Sequence, residues 1–128
     1  RHNLQAPEGE LPDAVVRQRI AAYAMDETCF HQVLLRIDEA RRRGDQPGPE
    51  ASIIKLVGSE LKKSRFDLEM SIGGQSAIGW SGPGFGDEAL AGTRDWLRSR
   101  ANSIEGGSSE IHTNILAQRV LGLPKSGS

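Results

Sequence analysis

The residues best suited to chemistry lie near the end of the sequence, where two glycines precede two serines and a glutamate. Gly106 and Gly107 interrupt the chain, Ser108 or Ser109 can supply an N-cap oxygen, and Glu110 follows in the first turn of a helix. The first-turn amides and the helix dipole favour an anion, so a phosphate-bearing ligand could dock at this turn. Most helices that start this way bind only water, so an ordinary helix start without a ligand is the alternative interpretation.

The other reactive side chains do not form a cluster. The single cysteine, Cys29, has no partner for an intrachain disulfide and is interpreted as a small packing residue, which favours a reducing cytoplasmic setting. His2, His31 and His112 do not fall at metal-ligand spacing with other candidates, so the sequence predicts no metal site.

Length and charge narrow the possible classes of protein. The chain has 128 residues, with 16 basic and 17 acidic side chains that nearly cancel, so no overall field favours nucleic acid or an anionic membrane. No apolar run reaches the roughly 20 residues that span a bilayer, and no signal peptide opens the chain. Since the first residue is an arginine rather than Met, we interpret the chain as one domain of something larger.

Apolar residues recur at three- and four-residue steps, which predicts helices. The stripe of the first long helix consists of Val16, Ile20, Tyr23, Phe30, Leu34 and Ile37, and that of the second of Ile54, Val57, Leu61, Leu68 and Ile72. After an irregular lead-in at 1–11, the helices are predicted at 12–43, 49–72 and 87–100, with a fourth from about 109 to a left-handed glycine cap at Gly122. The short link between the two long helices predicts that they lie antiparallel.

Residues 74–86 are rich in glycine and are predicted to form a loop, with Trp80 or Phe85 packed against the helices. A nucleotide-binding loop is disfavoured because the segment follows a helix and not a strand. No segment alternates as a strand does. We therefore predict an all-α fold, an antiparallel up-down helical bundle, with residues 1–128 as one domain.

Two stretches of the sequence resemble the acyl-CoA dehydrogenase family, especially its bacterial branch. The segment Ile104-Glu-Gly-Gly-Ser-Ser-Glu-Ile111, followed by Asn114-Ile-Leu-Ala-Gln-Arg-Val-Leu-Gly-Leu-Pro124, is similar to the family's C-terminal signature. The segment Ala51-Ser-Ile-Ile-Lys55, with Asp67 and Gly73-Gly74, is similar to a long helix of the same domain and the turn after it. The resemblance implies the C-terminal helical domain without its first long helix, and without the family's other two domains.

The resemblance also implies an activity. Family members oxidise the Cα–Cβ bond of an acyl-CoA thioester to the trans-2-enoyl-CoA: a carboxylate removes the α-proton, FAD takes the β-hydride, and electrons pass to an electron-transferring flavoprotein. Relatives are homo- or hetero-oligomers in which this domain contributes to the partner subunit's cofactor site. An isolated fragment is expected to be inactive, and an oxidase of the same fold stays open.

Six positions are implied as FAD contacts, namely Arg1, Met70, Gly73, Gly74, Ser108 and Glu110. Arg1 would neutralise the pyrophosphate, to which a forked guanidinium is suited. The turn that ends at Gly74 would approach the adenosine half, with glycines allowing close backbone contact. At the later helix start, Glu110 would meet a ribose hydroxyl or its own capping amide, since a carboxylate repels a pyrophosphate.

The catalytic base has three candidate positions. Aligned without a gap, the family's glutamate falls on Gly106, and Glu105 is one residue away, so Glu105 would need a local backbone shift to reach the substrate. The base could instead lie on the preceding helix of the domain, or the chain could belong to a base-less subunit of a mixed oligomer. Glu105 could also be an ordinary solvated residue of the turn. For the chain as a whole, the alternative function is a helical assembly module without chemistry of its own.

Overall fold

The computed structural model describes residues 13–46, 48 and 50–125, and of residues 50, 51 and 76 it describes the backbone alone. Throughout these residues the regular structure is helical, which confirms the predicted all-α fold. The α-helices are α1 (Ala14–Arg42), α2 (Glu50–Gly73), α3 (Asp87–Ser99) and α4 (Ser109–Arg119), with short 3₁₀ helices at Gly74–Ile78 and Arg100–Ser103. The predicted lead-in at 1–11 lies outside the described residues.

An aspartate caps the start of helix α1, and a glycine follows its last turn. Asp13 is the N-cap, and its carboxylate accepts a hydrogen bond from the Val15 amide at 2.7 Å. After the last turn, Gly44 has a φ of 84°, a conformation that glycine adopts without strain. The predicted apolar stripe of α1 is half-buried along its length, but no described side chain of this helix is fully buried. No helix in the described part of the chain is long and apolar enough to cross a membrane.

The two long helices lie antiparallel, as the short link between them predicted. Near one end, Arg19 of α1 donates a hydrogen bond to Ser71 of α2 at 2.8 Å. Further along, a Cβ placed on Gly58 would lie 3.2 Å from Cζ of Phe30. The glycine therefore lets the aromatic ring pack directly against the backbone of α2.

Helix α2 is the central element, because it contacts α1, α3 and α4. Its most buried side chains include Ser52, Ser59 and Phe66, which follow one another at seven-residue intervals along one face. The predicted stripe is therefore only part of the buried surface: Leu68 is buried, but Val57 and Ile72 remain exposed. Sequence periodicity detects the apolar stripe and misses a second face that is built from small polar residues.

An ionic and aromatic cluster joins α2 to α3. Asp67 of α2 accepts a hydrogen bond from Trp96 Nε1 at 2.6 Å and pairs with Arg100 Nη2 at 2.7 Å. The Arg100 guanidinium lies 5.0 Å from the centre of the Trp96 ring, which adds a cation–π contact. Partial burial opposes ionisation of Asp67, but the hydrogen bonds from Trp96 and Arg100 outweigh it and lower the pKa of this carboxyl.

The predicted loop at 74–86 is too broad. Gly74 ends α2 with a φ of 54°, and the chain continues as a 3₁₀ helix to Ile78 instead of as loop. Phe85 is half-buried, and its ring lies directly against the backbone of Gly79 in the same segment. Trp80 is 56% exposed and is partly covered by the Arg94 guanidinium.

Replacing Asp67 with asparagine tests the junction of α2 and α3. We expect Asp67→Asn to lower the free energy of unfolding by about 1 kcal/mol at pH 7, because the asparagine keeps an acceptor for Trp96 but loses the charge that pairs with Arg100. Because the pKa of Asp67 is lower in the folded protein than in the unfolded chain, its charge stabilises the fold at pH values above the unfolded-state pKa. This stabilisation is lost as the pH falls through the folded-state pKa. The gap between the two proteins should therefore close below about pH 4.

Thermal unfolding followed by circular dichroism between pH 7 and pH 3 measures this gap. Asp95→Asn is the matched control: Asp95 is exposed on α3, and its carboxylate makes no hydrogen bond or ion pair among the described residues. A difference between wild type and Asp67→Asn that stays constant across the pH range would contradict the role given to the charge.

Candidate functional site

The double glycine interrupts the chain before α4, as predicted. Gly106 and Gly107 have φ angles of 71° and 103°, values that side chains other than glycine rarely adopt. Ser108 is the N-cap of α4, and its hydroxyl oxygen accepts a hydrogen bond from the Ile111 amide at 3.4 Å. At the other end, Gly122 has a φ of 66° and the Leu123 amide donates to the Ala117 carbonyl, which confirms the predicted glycine cap.

Glu110 lies in the first turn of α4, as predicted, and its carboxylate is already engaged there. Hydrogen bonds from its own backbone N–H and from the Ser108 hydroxyl lower the pKa of this exposed group. The carboxylate thus occupies part of the positive end of the helix. A second anion at the same place would have to compete with it.

Lys55 of α2 holds the turn from the other side. Its Nζ donates to the carbonyl oxygen of Asn102 at 2.7 Å and to that of Gly107 at 3.0 Å. The buried hydroxyl of Ser59, one helical turn further along α2, lies 3.0 Å from the same Asn102 oxygen. The two stretches that carry the family resemblance are therefore in direct contact.

His112 ties the turn to α4 itself. Its Nε2 lies 3.0 Å from the Gly106 carbonyl oxygen, and because a carbonyl only accepts hydrogen bonds, Nε2 is the protonated ring nitrogen in this contact. The other ring nitrogen, Nδ1, is buried and has no hydrogen-bond partner among the described residues. A Cβ placed on Gly107 would lie 2.9 Å from Nε2, so the imidazole fills the space beside this glycine.

Glu105, the candidate base within this chain, forms a forked ion pair. Its two carboxylate oxygens accept hydrogen bonds from the guanidinium of Arg98 at 3.1 and 2.7 Å. The Arg98 hydrogen bonds lower the pKa of Glu105; desolvation opposes them, and the positive charges of Arg98, Lys62 and Lys55 add to the lowering. Both oxygens are occupied, and the carboxylate is a weaker proton acceptor than an unpaired one.

The residues predicted to contact FAD from the turn that ends at Gly74 lie at the other end of α2. Met70 and Gly73 line a crevice of about 340 Å³ between the end of α2 and the start of α3. A Cβ on Gly73 would lie 2.7 Å from the Cβ of Ala77, so the chain turns back very tightly here. Glu69 and Glu88 also line the crevice, which gives it two carboxylates.

The six predicted cofactor residues therefore fall into separate groups. Ser108 and Glu110 lie at the turn held by Lys55, near the start of α2, whereas Met70, Gly73 and Gly74 lie at its end. From Lys55 to Gly73 the helix rises by roughly 27 Å. Arg1 lies outside the described residues. The crevice at Met70 and Gly73 and the pocket beside Lys55 are lined by different residues.

Several residues that hold the turn before α4 were not among the predicted site residues. Lys55 is a cation within the apolar pattern of α2, and Ser59 follows it by four residues, which places both on one helical face. That spacing beside a glycine-rich signature is the signal that could have identified them. Arg98 and His112 have no such signal, because their partners depend on how the turn folds back.

Comparison with known proteins agrees with the fold. Residues 8–121 match the family described as acyl-CoA dehydrogenase, C-terminal domain. Acyl-CoA dehydrogenase IpdE1 of Mycolicibacterium smegmatis is 37% identical over 81 residues, which are 63% of this chain and 19% of that protein. Its namesake in Mycobacterium tuberculosis is also 37% identical over 81 residues, 63% of this chain and 20% of that protein.

A third relative, acyl-CoA dehydrogenase FadE34 of Mycobacterium tuberculosis, is 30% identical over 92 residues, 70% of this chain and 11% of that protein. No solved structure gives a significant match. The chain belongs to the acyl-CoA dehydrogenase family and matches its C-terminal helical domain. It spans a fifth or less of the length of the curated relatives it matches.

Gly107→Ala tests whether the turn requires glycine. We expect the free energy of unfolding to fall by about 1–3 kcal/mol, because alanine at a positive φ is strained and its Cβ would displace the His112 ring. Urea unfolding measures the change. Gly84→Ala is the control, since Gly84 has no positive φ and a Cβ there meets nothing within 4 Å. Equal stability of the two variants would show that the turn tolerates a side chain.

Proposed function

We propose that this chain is the part of an FAD-dependent acyl-CoA dehydrogenase that contributes to flavin binding and to contacts between subunits. The reaction is the α,β-dehydrogenation of an acyl-CoA thioester to the trans-2-enoyl-CoA, with an electron-transferring flavoprotein as electron acceptor and the cytoplasm as the setting. Family membership supports the class of reaction. The observation that carries the proposed role of this domain is the serine-capped start of α4, held against α2 by Lys55.

The groups at this turn fit a polar, hydroxyl-rich part of FAD better than a phosphate. The Ser108 backbone N–H makes no hydrogen bond within the described part of the chain and is a free donor. The Glu110 carboxylate beside it repels a phosphate but accepts a hydrogen bond from a ribose hydroxyl. Gly106 is exposed and has no side chain, so its backbone is accessible. FAD, when bound, accepts the hydride that leaves the substrate β-carbon.

We assign the adenosine side of the cofactor to the other end of α2. The crevice next to Met70 is lined by Gly73, and Gly74 follows it in the chain, so the backbone itself can form contacts there. Met70 brings an apolar side chain, which suits the face of a purine more than its polar edge. Arg1 keeps its proposed role at the pyrophosphate on the resemblance alone.

The paired state of Glu105 favours a base outside this turn. A general base must be free to take up a proton, and the forked contact with Arg98 occupies both oxygens of Glu105 and lowers its pKa. We propose that the carboxylate that removes the substrate α-proton lies on another helix of the enzyme, and that Glu105 fixes the turn through Arg98.

A second function is supported by the exposed apolar surface. Val15 and Met25 of α1 are 63% and 69% exposed, and no described side chain of α1 is fully buried. Such a surface suits contact with other helices or subunits. The chain could then serve as a non-catalytic assembly module, or as part of a base-less subunit in a mixed oligomer.

The absorption spectrum of the full-length protein tests the proposed function. We expect bound flavin bands that bleach when an acyl-CoA is added anaerobically, because the substrate reduces the flavin. A folded, colourless protein that takes up no FAD would support the assembly module instead. A flavoprotein that bleaches only when mixed with a second subunit would support the base-less arrangement.

Glu105→Gln in the full-length protein tests the position of the base. If the base lies elsewhere, kcat should change by less than about threefold, whereas loss of a general base costs about 10² to 10⁴ in rate. Arg98→Gln is the matched variant, since it breaks the same ion pair and leaves the carboxylate in place. A large loss of kcat in Glu105→Gln alone would make Glu105 the base.

A further inference from the structure

The contacts of Lys55 point to a role that goes beyond holding helices together. Its ammonium group reaches across from α2 to two carbonyl oxygens, those of Asn102 and Gly107, which flank the turn before α4. Its side chain is half-buried, and its Cε lies 3.7 Å from where a Cβ on Gly106 would be. The lysine stem therefore passes beneath Gly106 and its charge fixes both ends of the turn.

The contact with Gly107 also sets the direction of the next amide. In a trans peptide unit the C=O and the N–H point in opposite directions. Because the Gly107 carbonyl points towards Lys55, the Ser108 N–H points away from α2. This N–H has no partner within the described residues.

We propose that Lys55 is a positioning residue, which orients the Ser108 amide towards the bound cofactor by holding the Gly107 carbonyl. The inference rests on the proposed flavin-binding role of this turn. It assigns to α2, and not only to α4, the task of shaping the cofactor contact. Lys55 itself does not touch the cofactor.

The chain provides a matched control for this role. Lys62 lies two turns further along α2, is exposed, and has the same charge, and its charge also acts on Glu105. It makes no hydrogen bond or ion pair within the described part of the chain. Lys55→Met and Lys62→Met therefore remove the same charge from the same helix, but only the first removes the donors to the turn.

The experiment uses the full-length protein and two readouts, amide hydrogen exchange of residues 104–111 and the Kd for FAD. We expect Lys55→Met to increase exchange in this segment and to weaken FAD binding, each by about tenfold, as for the loss of a hydrogen bond to a charged group. Lys62→Met should change both by less than about twofold. Lys55→Arg keeps the positive charge and replaces the ammonium donors with a forked guanidinium. It should recover part of both losses.

The outcomes separate the two proposals. If wild type takes up no FAD, the proposed function fails, while exchange in residues 104–111 still reports whether Lys55 orders the turn. If wild type binds FAD and Lys55→Met matches Lys62→Met in both readouts, the role of Lys55 is overturned and the function stands. Should Lys55→Met not fold, exchange in wild type decides: FAD must slow exchange of the Ser108 amide, and an unchanged rate overturns the inference.

Discussion

The fold depends on a charged hydrogen bond between one lysine and the backbone of a turn. Carbonyl oxygens in an irregular turn lack the regular partners that a helix provides, and leaving them unpaired near a packed surface is costly. Lys55 supplies donors to two of them, and Ser59 lies within hydrogen-bonding distance of one. The segment that leaves α3 is thereby anchored to α2 before the chain enters α4. Without this anchor, the double glycine would allow many conformations of the turn.

The packing around α2 shows why small polar residues can occupy its buried face. Ser59 Oγ lies 2.6 Å from the Lys55 carbonyl oxygen, and on the facing helix α3 the buried Ser99 hydroxyl donates to the Trp96 carbonyl oxygen at 2.6 Å. Each hydroxyl thus has a partner that does not depend on the neighbouring helix, so its burial carries little penalty. The small side chains also allow the helix backbones to approach closely, which larger apolar side chains would prevent.

The sequence predicted the helices well because their signals are local. The caps at Ser108 and Gly122 and the apolar stripe of α1 each depend on residues within a few positions. The 3₁₀ helix from Gly74 was not predicted, since it depends on packing of Ala77 against Gly73 and on a hydrogen bond from the buried Thr93 to the Ala77 carbonyl. Propensity alone cannot report such a long-range contact.

The candidate site was predictable in part, for the same physical reason. The helix start at Ser108 and the place of Glu110 follow from local sequence, and the resemblance identified the segment around Lys55 without giving the lysine a role. The partners of Glu105 and Lys55 could not be predicted, because Arg98 precedes Glu105 by seven residues across a 3₁₀ helix and Lys55 is distant in sequence from the turn. Only the path of the folded chain brings these groups together.

The charge distribution at the turn limits what it can bind. Glu110 and Glu105 place two carboxylates near the start of α4; hydrogen bonds lower the pKa of both, and the charge of Glu105 is paired with Arg98. A phosphate at the first turn would be repelled by the Glu110 carboxylate. A neutral hydroxyl would instead gain an acceptor from the carboxylate and a donor from the Ser108 amide. If the turn binds FAD as proposed, it is therefore better matched to the sugar part of the dinucleotide than to its phosphates.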